Sequence, residues 1–329
     1  MVYGLLPVKH TNARYQAGIH VLAQKELQLL LSACGIDPVV YPLSLSGMEV
    51  IAFESPPLTA GQAAIVADHS LLYWLFEVRE DQSLLPVLSH RQELLGADLP
   101  YIQKYKGKTN ERFTELLINM ALYSSAYATE KAVRLLDPMC GRGTTLFLAL
   151  NRGMLPTGAD ADRGEVQECA RFFQRYLEYH RIKHKHQKHA RTYKGANIPM
   201  ESFAFSLPDS GEGELSLAVA DARQAAGLSR RRYHILVADL PYGVQHAPSG
   251  KGSLQALVEE AAGEWLASLA PGGALALAFN VHTLKRNQVV SALARAGFCL
   301  AEGAPYEGLE HWVEQAVMRD LVVARAPLA

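Results

Sequence analysis

The sequence predicts an α/β domain, a parallel sheet covered by helices on both faces, preceded by a small α+β domain. Three observations carry this. Beyond residue 130, short apolar runs alternate with segments of helical periodicity. Four of those runs end at an acidic residue or a glycine loop, where an open α/β sheet binds its ligand. Residues 1–125 lack that rhythm. At 329 residues the chain is long enough for two domains of about 100–200 residues each, and the expected division is 1–125 and 126–329.

The N-terminal elements come first. Residues 16–33 place Ile19, Leu22, Leu27, Leu30 and Leu31 on or near one helical face. Residues 39–43 and 49–53 read as strands around a Ser46-Gly47 turn. A helix over 60–69 and a strand over 73–78 follow. Residues 104–121 read as a bridge. Its polar start, Lys104-Tyr105-Lys106-Gly107-Lys108-Thr109-Asn110, runs into an amphipathic helix.

In the second half, strands are expected at 132–136, 155–159, 215–220, 233–238 and 274–279. Two closing strands are expected at 298–302 and 315–324. Helices fill 144–150, 164–179, 253–269 and 284–296. Strands alternating with helices imply a parallel sheet with both faces covered. Between 181 and 214 the rhythm breaks, and that stretch reads as an insertion.

Composition narrows the function classes. The net charge is −1, so any nucleic-acid binding must rest on a local basic patch. Cys34, Cys140, Cys169 and Cys299 are scattered without a C-x-x-C pair, which argues against a zinc knuckle or a disulfide framework. Reduced thiols fit a cytoplasmic protein. The N-terminus has no basic start followed by a long apolar run, and no apolar window is long enough for a membrane span.

Two stretches carry the chemistry. The first is Asp137-Pro138-Met139-Cys140-Gly141-Arg142-Gly143-Thr144-Thr145. Gly141 and Gly143 follow a strand and open a helix, where backbone can approach a nucleotide closely and N–H groups are free. A dinucleotide-binding dehydrogenase uses the same idea, but its fingerprint needs a small residue where this chain has Leu146. A Walker loop fails too, because Lys251 is followed by Gly252 rather than Ser or Thr. Asp160, at the second strand's end, can accept both ribose hydroxyls of a nucleoside cofactor. Asp162 either shares that task or caps the next helix. Asp221, at the third strand's end, either accepts from an adenine amino group or is a turn residue. Asp137 is expected under the loop, holding backbone N–H groups or the cofactor's amino end. Pro138, Cys140 and Thr144 join Gly141 and Gly143 as candidate cofactor-binding residues, with Cys140 a small loop residue rather than a nucleophile.

The second stretch is Asp239-Leu240-Pro241-Tyr242 at the fourth strand's end. An exocyclic amino nitrogen is a poor nucleophile, because its lone pair is delocalised into the ring. Acceptors on its two N–H bonds reduce that delocalisation and align the nitrogen. The Asp239 carboxylate can take one, and a backbone carbonyl in the Leu240-Pro241 turn, stiffened by Pro241, can take the other. Tyr242 offers a ring on which a base can stack. Holding the reactants in line supplies most of the acceleration.

The chain resembles the class I methyltransferases related to the THUMP-associated RNA guanine-N2 methyltransferases. DPMCGRGTT, GADAD, Asp221, DLPYG and the preceding KYKGKTNERFTELLINMAL carry the resemblance over about residues 100–329. It implies S-adenosylmethionine, a Rossmann-like seven-stranded sheet, and methylation of an amino group on RNA, tRNA or rRNA. Two departures stand out. The family's motif is Asp-Pro-Pro-Tyr or a close variant, and here Leu240 replaces the first proline. The N-terminal domain is also short for the usual ferredoxin-like plus THUMP pair. The competing functions are a DNA adenine or cytosine amino-methyltransferase and a catalytically silent nucleic-acid-binding protein.

A basic stretch offers phosphate contacts. Residues 171–194 hold eight Lys and Arg residues and one acid, Glu178. Lys183, Lys185, Lys188 and Arg191 are its candidate nucleic-acid ligands, with Lys251 in the loop after the catalytic turn. The bland alternative is a solvated basic helix end. His180 and His184 have the i, i+4 spacing of helical metal ligands, but no carboxylate or Cys completes a set, so no metal is expected. Lys104, Lys106, Lys108 and Arg112 form a second basic cluster. His246 and Ser249 belong to a loop suited to closing over substrate.

Overall fold

The computed structural model describes residues 1–9, 13–87, 93–208, 211–242 and 253–328, apart from the side chains of 13–17. The chain divides into two compact units, Met1–Arg91 with Glu302–Arg319, and Gln92–Ala301 with Asp320–Ala329.

The first unit contains β1 (Val2–Pro7), α1 (Ala13–Ala33), β2 (Val40–Leu45), β3 (Met48–Glu54), α2 (Ala60–Ala67), β4 (Leu72–Val78) and β5 (Leu84–Pro86). The strands form a sheet in the order β2-β3-β1-β4-β5, with β1 antiparallel to both β3 and β4. The expected helices and strands are present. β1 and β5 are additional. Leu27 and Leu31 of α1 pack with Leu5, Ile51, Phe53 and Val66 in one core. A capping box starts α2: the Thr59 hydroxyl accepts from the Gln62 N–H, and the Gln62 side chain accepts from the Thr59 N–H.

The second unit begins with the short α3 (Leu99–Ile102) and α4 (Glu111–Leu122). There follow β6 (Arg134–Asp137), α5 (Thr144–Asn151), β7 (Leu155–Asp160), α6 (Arg163–Tyr179), β8 (Lys183–Tyr193), β9 (Ala196–Leu207) and β10 (Gly211–Val219). A 3-10 turn (Ala222–Gly227) leads to β11 (Tyr233–Asp239), α7 (Leu254–Ser268), β12 (Leu269–Asn280), α8 (Arg286–Ala296) and β13 (Cys299–Leu300). β14 (His311–Glu314) belongs to the first unit and pairs with β15 (Val317–Arg325), which crosses between units. The bridge segment 104–121 lies in the second unit.

The large sheet has the order β13-β15-β12-β11-β6-β7-β10-β9-β8. β7, β6, β11 and β12 are mutually parallel in sequence, and β10 runs parallel to β7. The seven strands expected from the sequence are β6, β7, β10, β11, β12, β13 and β15. Those at the centre are apolar along their length because both faces are covered; β11 is buried from Tyr233 to Ala238. Leu136, Ala238, Leu275, Leu277, Trp265 and Val289 share the core.

The stretch 181–214 holds a long hairpin rather than helix. β8 and β9 pair from Lys183↔Ser206 to Tyr193↔Ala196, and β9 joins β10 antiparallel. β8 is therefore an edge strand, and the expectation of a basic helix end is corrected. It alternates Lys183, Lys185 outward with half-buried His184, His186. His186 stacks on Phe203 at 4.2 Å between ring centroids and meets Glu201 at 2.8 Å. His180 ends α6 and His184 lies on β8, so the two do not share a helix.

Gly158 explains how Leu146 fits where a dinucleotide fold needs a small residue. A Cβ at Gly158 on β7 would lie 2.4 Å from Leu146 Cδ1 and 2.8 Å from Cys140 Sγ. Here the strand, not the helix, supplies the missing side chain that lets α5 pack closely on the sheet.

Candidate functional site

The carboxyl ends of β10, β7, β6 and β11 lie side by side and carry Asp221, Asp160, Asp137 and Asp239. This is the rim where an open α/β sheet binds ligand.

Asp137 ends β6 and is buried. Its Oδ1 accepts from the Met139 N–H at 3.0 Å. Burial pushes the carboxyl up to about 7, against hydrogen bonds from Thr145 and Met139, and the charges of Asp160 and Asp239 push the same way as burial. An unfolded carboxyl titrates near pH ~3.9. Between the two values the folded group holds a proton that the unfolded chain has lost. Stability of the ligand-free protein therefore falls as pH rises through that window. Asp137→Asn is expected to remove this term, so that its melting temperature gains on the wild type from about pH 4 to about pH 7. Parallel melting curves across that range would contradict the burial argument.

The glycine loop turns above Asp137. Gly141 and Gly143 have φ of 49° and 91°, both left-handed. A Cβ at Gly143 would meet Cys169 Sγ at 2.6 Å, whereas one at Gly141 would meet open space. The loop's exposed side at Gly141 thus leaves room for a ligand against backbone. Pro138 and Cys140 are buried, and the Cys140 N–H donates to Ala159 O at 2.9 Å. Burial raises the Cys140 thiol well above its ordinary range, which agrees with its reading as an inert loop residue. Thr144 opens α5.

Asp160 ends β7 and clasps the loop. Its Oδ2 accepts from the Gly141 N–H and its Oδ1 from the Asp162 N–H, both at 2.9 Å. Its carboxyl is raised, chiefly by burial. Asp162 caps α6, accepting from Gly164 N–H at 2.7 Å and Glu165 N–H at 3.4 Å. Capping, the second of its two sequence readings, is the one the geometry supports. Asp221 caps the 3-10 turn through the Arg223 N–H at 2.9 Å, and its other oxygen lies 3.6 Å from the Arg223 guanidinium.

Asp239 ends β11 beneath a turn whose Leu240 N–H donates to Ala278 O at 2.9 Å. The Leu240 side chain is buried in the core, so this residue reaches the site by its backbone alone. Core packing favours an aliphatic chain here, which accounts for leucine at this position. Pro241 and Tyr242 are half-buried. The Tyr242 hydroxyl donates to Asp239 Oδ1 at 2.5 Å, and the Thr109 hydroxyl donates to Oδ2 at 2.7 Å. The architecture is a Rossmann-like sheet with its acidic rim at the carboxyl ends of the parallel strands.

No protein-family model matches the chain, and no curated protein matches it. Among solved structures, TrmN from Thermus thermophilus is 18% identical, covers 74% of this chain and 56% of its own, and has a TM-score of 0.44. An rRNA methylase from Streptococcus thermophilus is 14% identical, with 67% and 99% covered and a TM-score of 0.40. The N-methyltransferase NodS from Bradyrhizobium japonicum is 13% identical, with 65% and 94% covered and a TM-score of 0.39. Likeness at this level decides neither activity nor substrate, and the chain spans little more than half the length of TrmN.

The segment before α4 contributes residues that the sequence reading did not single out. Tyr105 O–H lies 3.4 Å from Thr144 Oγ1, and the Arg142 guanidinium sits 4.8 Å over the Tyr105 ring while paired with Glu165. Lys108 is no phosphate ligand. Its ammonium donates to Pro100 O and Gln103 O at 2.7 and 2.8 Å and pairs with Glu111.

The basic strand runs from one rim of the sheet to the other, with Lys188 and Arg191 towards the aspartate end. β8 runs parallel to β10, because each is antiparallel to β9. Lys183 and Lys185 therefore stand at the rim opposite the four aspartates, roughly 34 Å along β8 from Tyr193 at ~3.4 Å per residue. Lys188 lies 3.4 Å from Glu201, and the Arg191 guanidinium donates to Leu228 O at 3.3 Å. Lys251, with His246 and Ser249, falls outside the described residues. Among the described residues, no helix is long and apolar enough to cross a membrane.

Proposed function

We propose that this chain is an S-adenosylmethionine-dependent N-methyltransferase acting on an exocyclic amino group of a nucleic-acid base, with guanine N2 in RNA the leading target. The observation that carries this reading is Asp239. Its carboxylate sits at the end of the strand next to the glycine loop, held by two hydroxyls, with a rigid proline turn and an aromatic ring after it.

S-adenosylmethionine supplies an already activated methyl group on a sulfonium. The open side of Gly141, with Asp137 buried beneath the loop, suits close approach of the ligand to backbone. Asp160 keeps spare lone pairs for ribose hydroxyls after its two backbone bonds. Asp221 has the same capacity toward an adenine amino group. On the target side, Asp239 accepts one N–H of the amino group, and the Leu240 carbonyl accepts the other. The base stacks on Tyr242. As the nitrogen takes the methyl group, the methyl–sulfur bond would break, a neutral thioether (S-adenosylhomocysteine) would leave, and the nitrogen would shed a proton to Asp239 or to solvent.

The test is mass spectrometry of modified nucleosides from total RNA and total DNA, with and without the intact gene. Loss of one N-methylated amino nucleoside from RNA is expected. Loss from DNA alone would move the substrate to DNA, and loss from neither would remove the proposal.

The basic strand enters this reading as an electrostatic track for the polynucleotide. Reversing Lys183, Lys185 and Lys188 together to Glu is expected to weaken RNA binding and reduce the slope of log affinity against log salt by about two. If a filter-binding salt titration shows neither, the lysines serve to guard an exposed sheet edge against strand pairing.

A further inference from the structure

The Asp239 carboxylate is held by a side chain from a different part of the second unit. Thr109 Oγ1 donates to Oδ2 at 2.7 Å, across 130 positions of sequence. Its placement is fixed from both sides. After it, Asn110 caps α4, accepting from Arg112 N–H at 3.0 Å and Phe113 N–H at 3.2 Å. α4 in turn packs on β11 and β12, with Leu116, Leu117 and Met120 buried. Before it, the nearly buried ammonium of Lys108 ties the chain to Pro100, Gln103 and Glu111.

We propose that Thr109 is a positioning residue for methyl transfer: its hydroxyl fixes the plane of the Asp239 carboxylate so that the free lone pairs face the incoming amino group. The proposal rests on the function assigned above. An ionised carboxylate has about four lone-pair directions. Thr109 and Tyr242 take one on each oxygen, which leaves one on each for substrate. Without the Thr109 hydroxyl, the carboxylate has a single hydroxyl partner and can rotate about its Cβ–Cγ bond. A misalignment of about 1 Å between reacting groups costs roughly 100-fold in rate.

Valine keeps the shape of threonine and removes the donor. The assay uses tritium-labelled S-adenosylmethionine and bulk RNA from cells that lack the gene. Thr109→Val is expected to lower kcat by roughly 10- to 100-fold. The KM values for cofactor and RNA should stay near wild type, and Thr109→Ser should recover most of the rate. Calorimetric binding of S-adenosylmethionine reports that each variant is folded; if Thr109→Val fails to bind, Thr109→Ala takes its place. An unchanged kcat, a loss confined to KM, or no rescue by serine overturns the assignment. Asp239→Ala in the same assay separates the two levels. If Asp239→Ala is inactive while Thr109→Val is normal, only the Thr109 assignment falls. If Asp239→Ala transfers methyl normally, the reading of Asp239 falls as well.

Discussion

Asp239→Ala is expected to lower methyl transfer by about 100- to 1,000-fold while S-adenosylmethionine still binds. The carboxylate is the group at the fourth strand's end that can accept an amino N–H, and it stands ready-oriented by Thr109 and Tyr242. Alanine removes that acceptor and leaves both hydroxyls without it. The stability cost is modest, about 1–3 kcal/mol, because the site is half-exposed and water can replace part of the bonding. Asp239→Asn sharpens the result. It keeps the side-chain shape and one acceptor oxygen but not the charge, so a rate near that of alanine means that the charge matters more than the shape. Initial rates at saturating cofactor, with cofactor affinity measured by calorimetry, check both variants.

The second large effect belongs to Asp160. Asp160→Ala is expected to weaken S-adenosylmethionine binding by about 10- to 100-fold, with kcat at saturating cofactor close to wild type. The carboxylate does two things at once. It fastens the glycine loop to β7 through the Gly141 N–H, and in the proposed function it presents its remaining lone pairs to the ribose. Each hydrogen bond to a charged group contributes about 1.5–3 kcal/mol, and 1.4 kcal/mol is tenfold in affinity. Unchanged affinity by calorimetry removes Asp160 from the cofactor site. Asp162→Ala provides the contrast. Its carboxylate is committed to capping α6, so the expected loss is about 1 kcal/mol of stability, with a small change in affinity.

The central sheet was legible because its strands are buried on both faces. Runs such as Tyr233–Asp239 are apolar until the aspartate that ends them, and the aspartates mark the rim. The site's polar ends followed from the same pattern. β8 was not legible, because its outward lysines alternate with histidines rather than with apolar residues. The period of two was present, but no hydrophobic face announced it. Its partner carried the apolar signal, with Ile198, Met200, Phe203 and Phe205 buried, and reading the two together would have found the hairpin. β1 was missed because six residues at the chain's start offered no preceding turn to frame them. Thr109 was missed because a threonine before a helix-capping asparagine reads locally as part of the cap. Its partner lies 130 positions away, and only the packing of α4 against β11 brings them together. Lys108 belongs to a basic run in the sequence, yet three acceptors surround its ammonium.

In the proposed function, Asp239 directs a methyl group onto an exocyclic amino nitrogen. The most direct measurement supplies the purified protein with methyl-labelled S-adenosylmethionine and RNA from cells lacking the gene, then identifies the labelled nucleoside by mass spectrometry. Label is expected on an exocyclic amino nitrogen, with guanine N2 first, and its loss in Asp239→Ala. Label on a ring carbon, a ribose oxygen or a ring nitrogen, or label undiminished in Asp239→Ala, would contradict it.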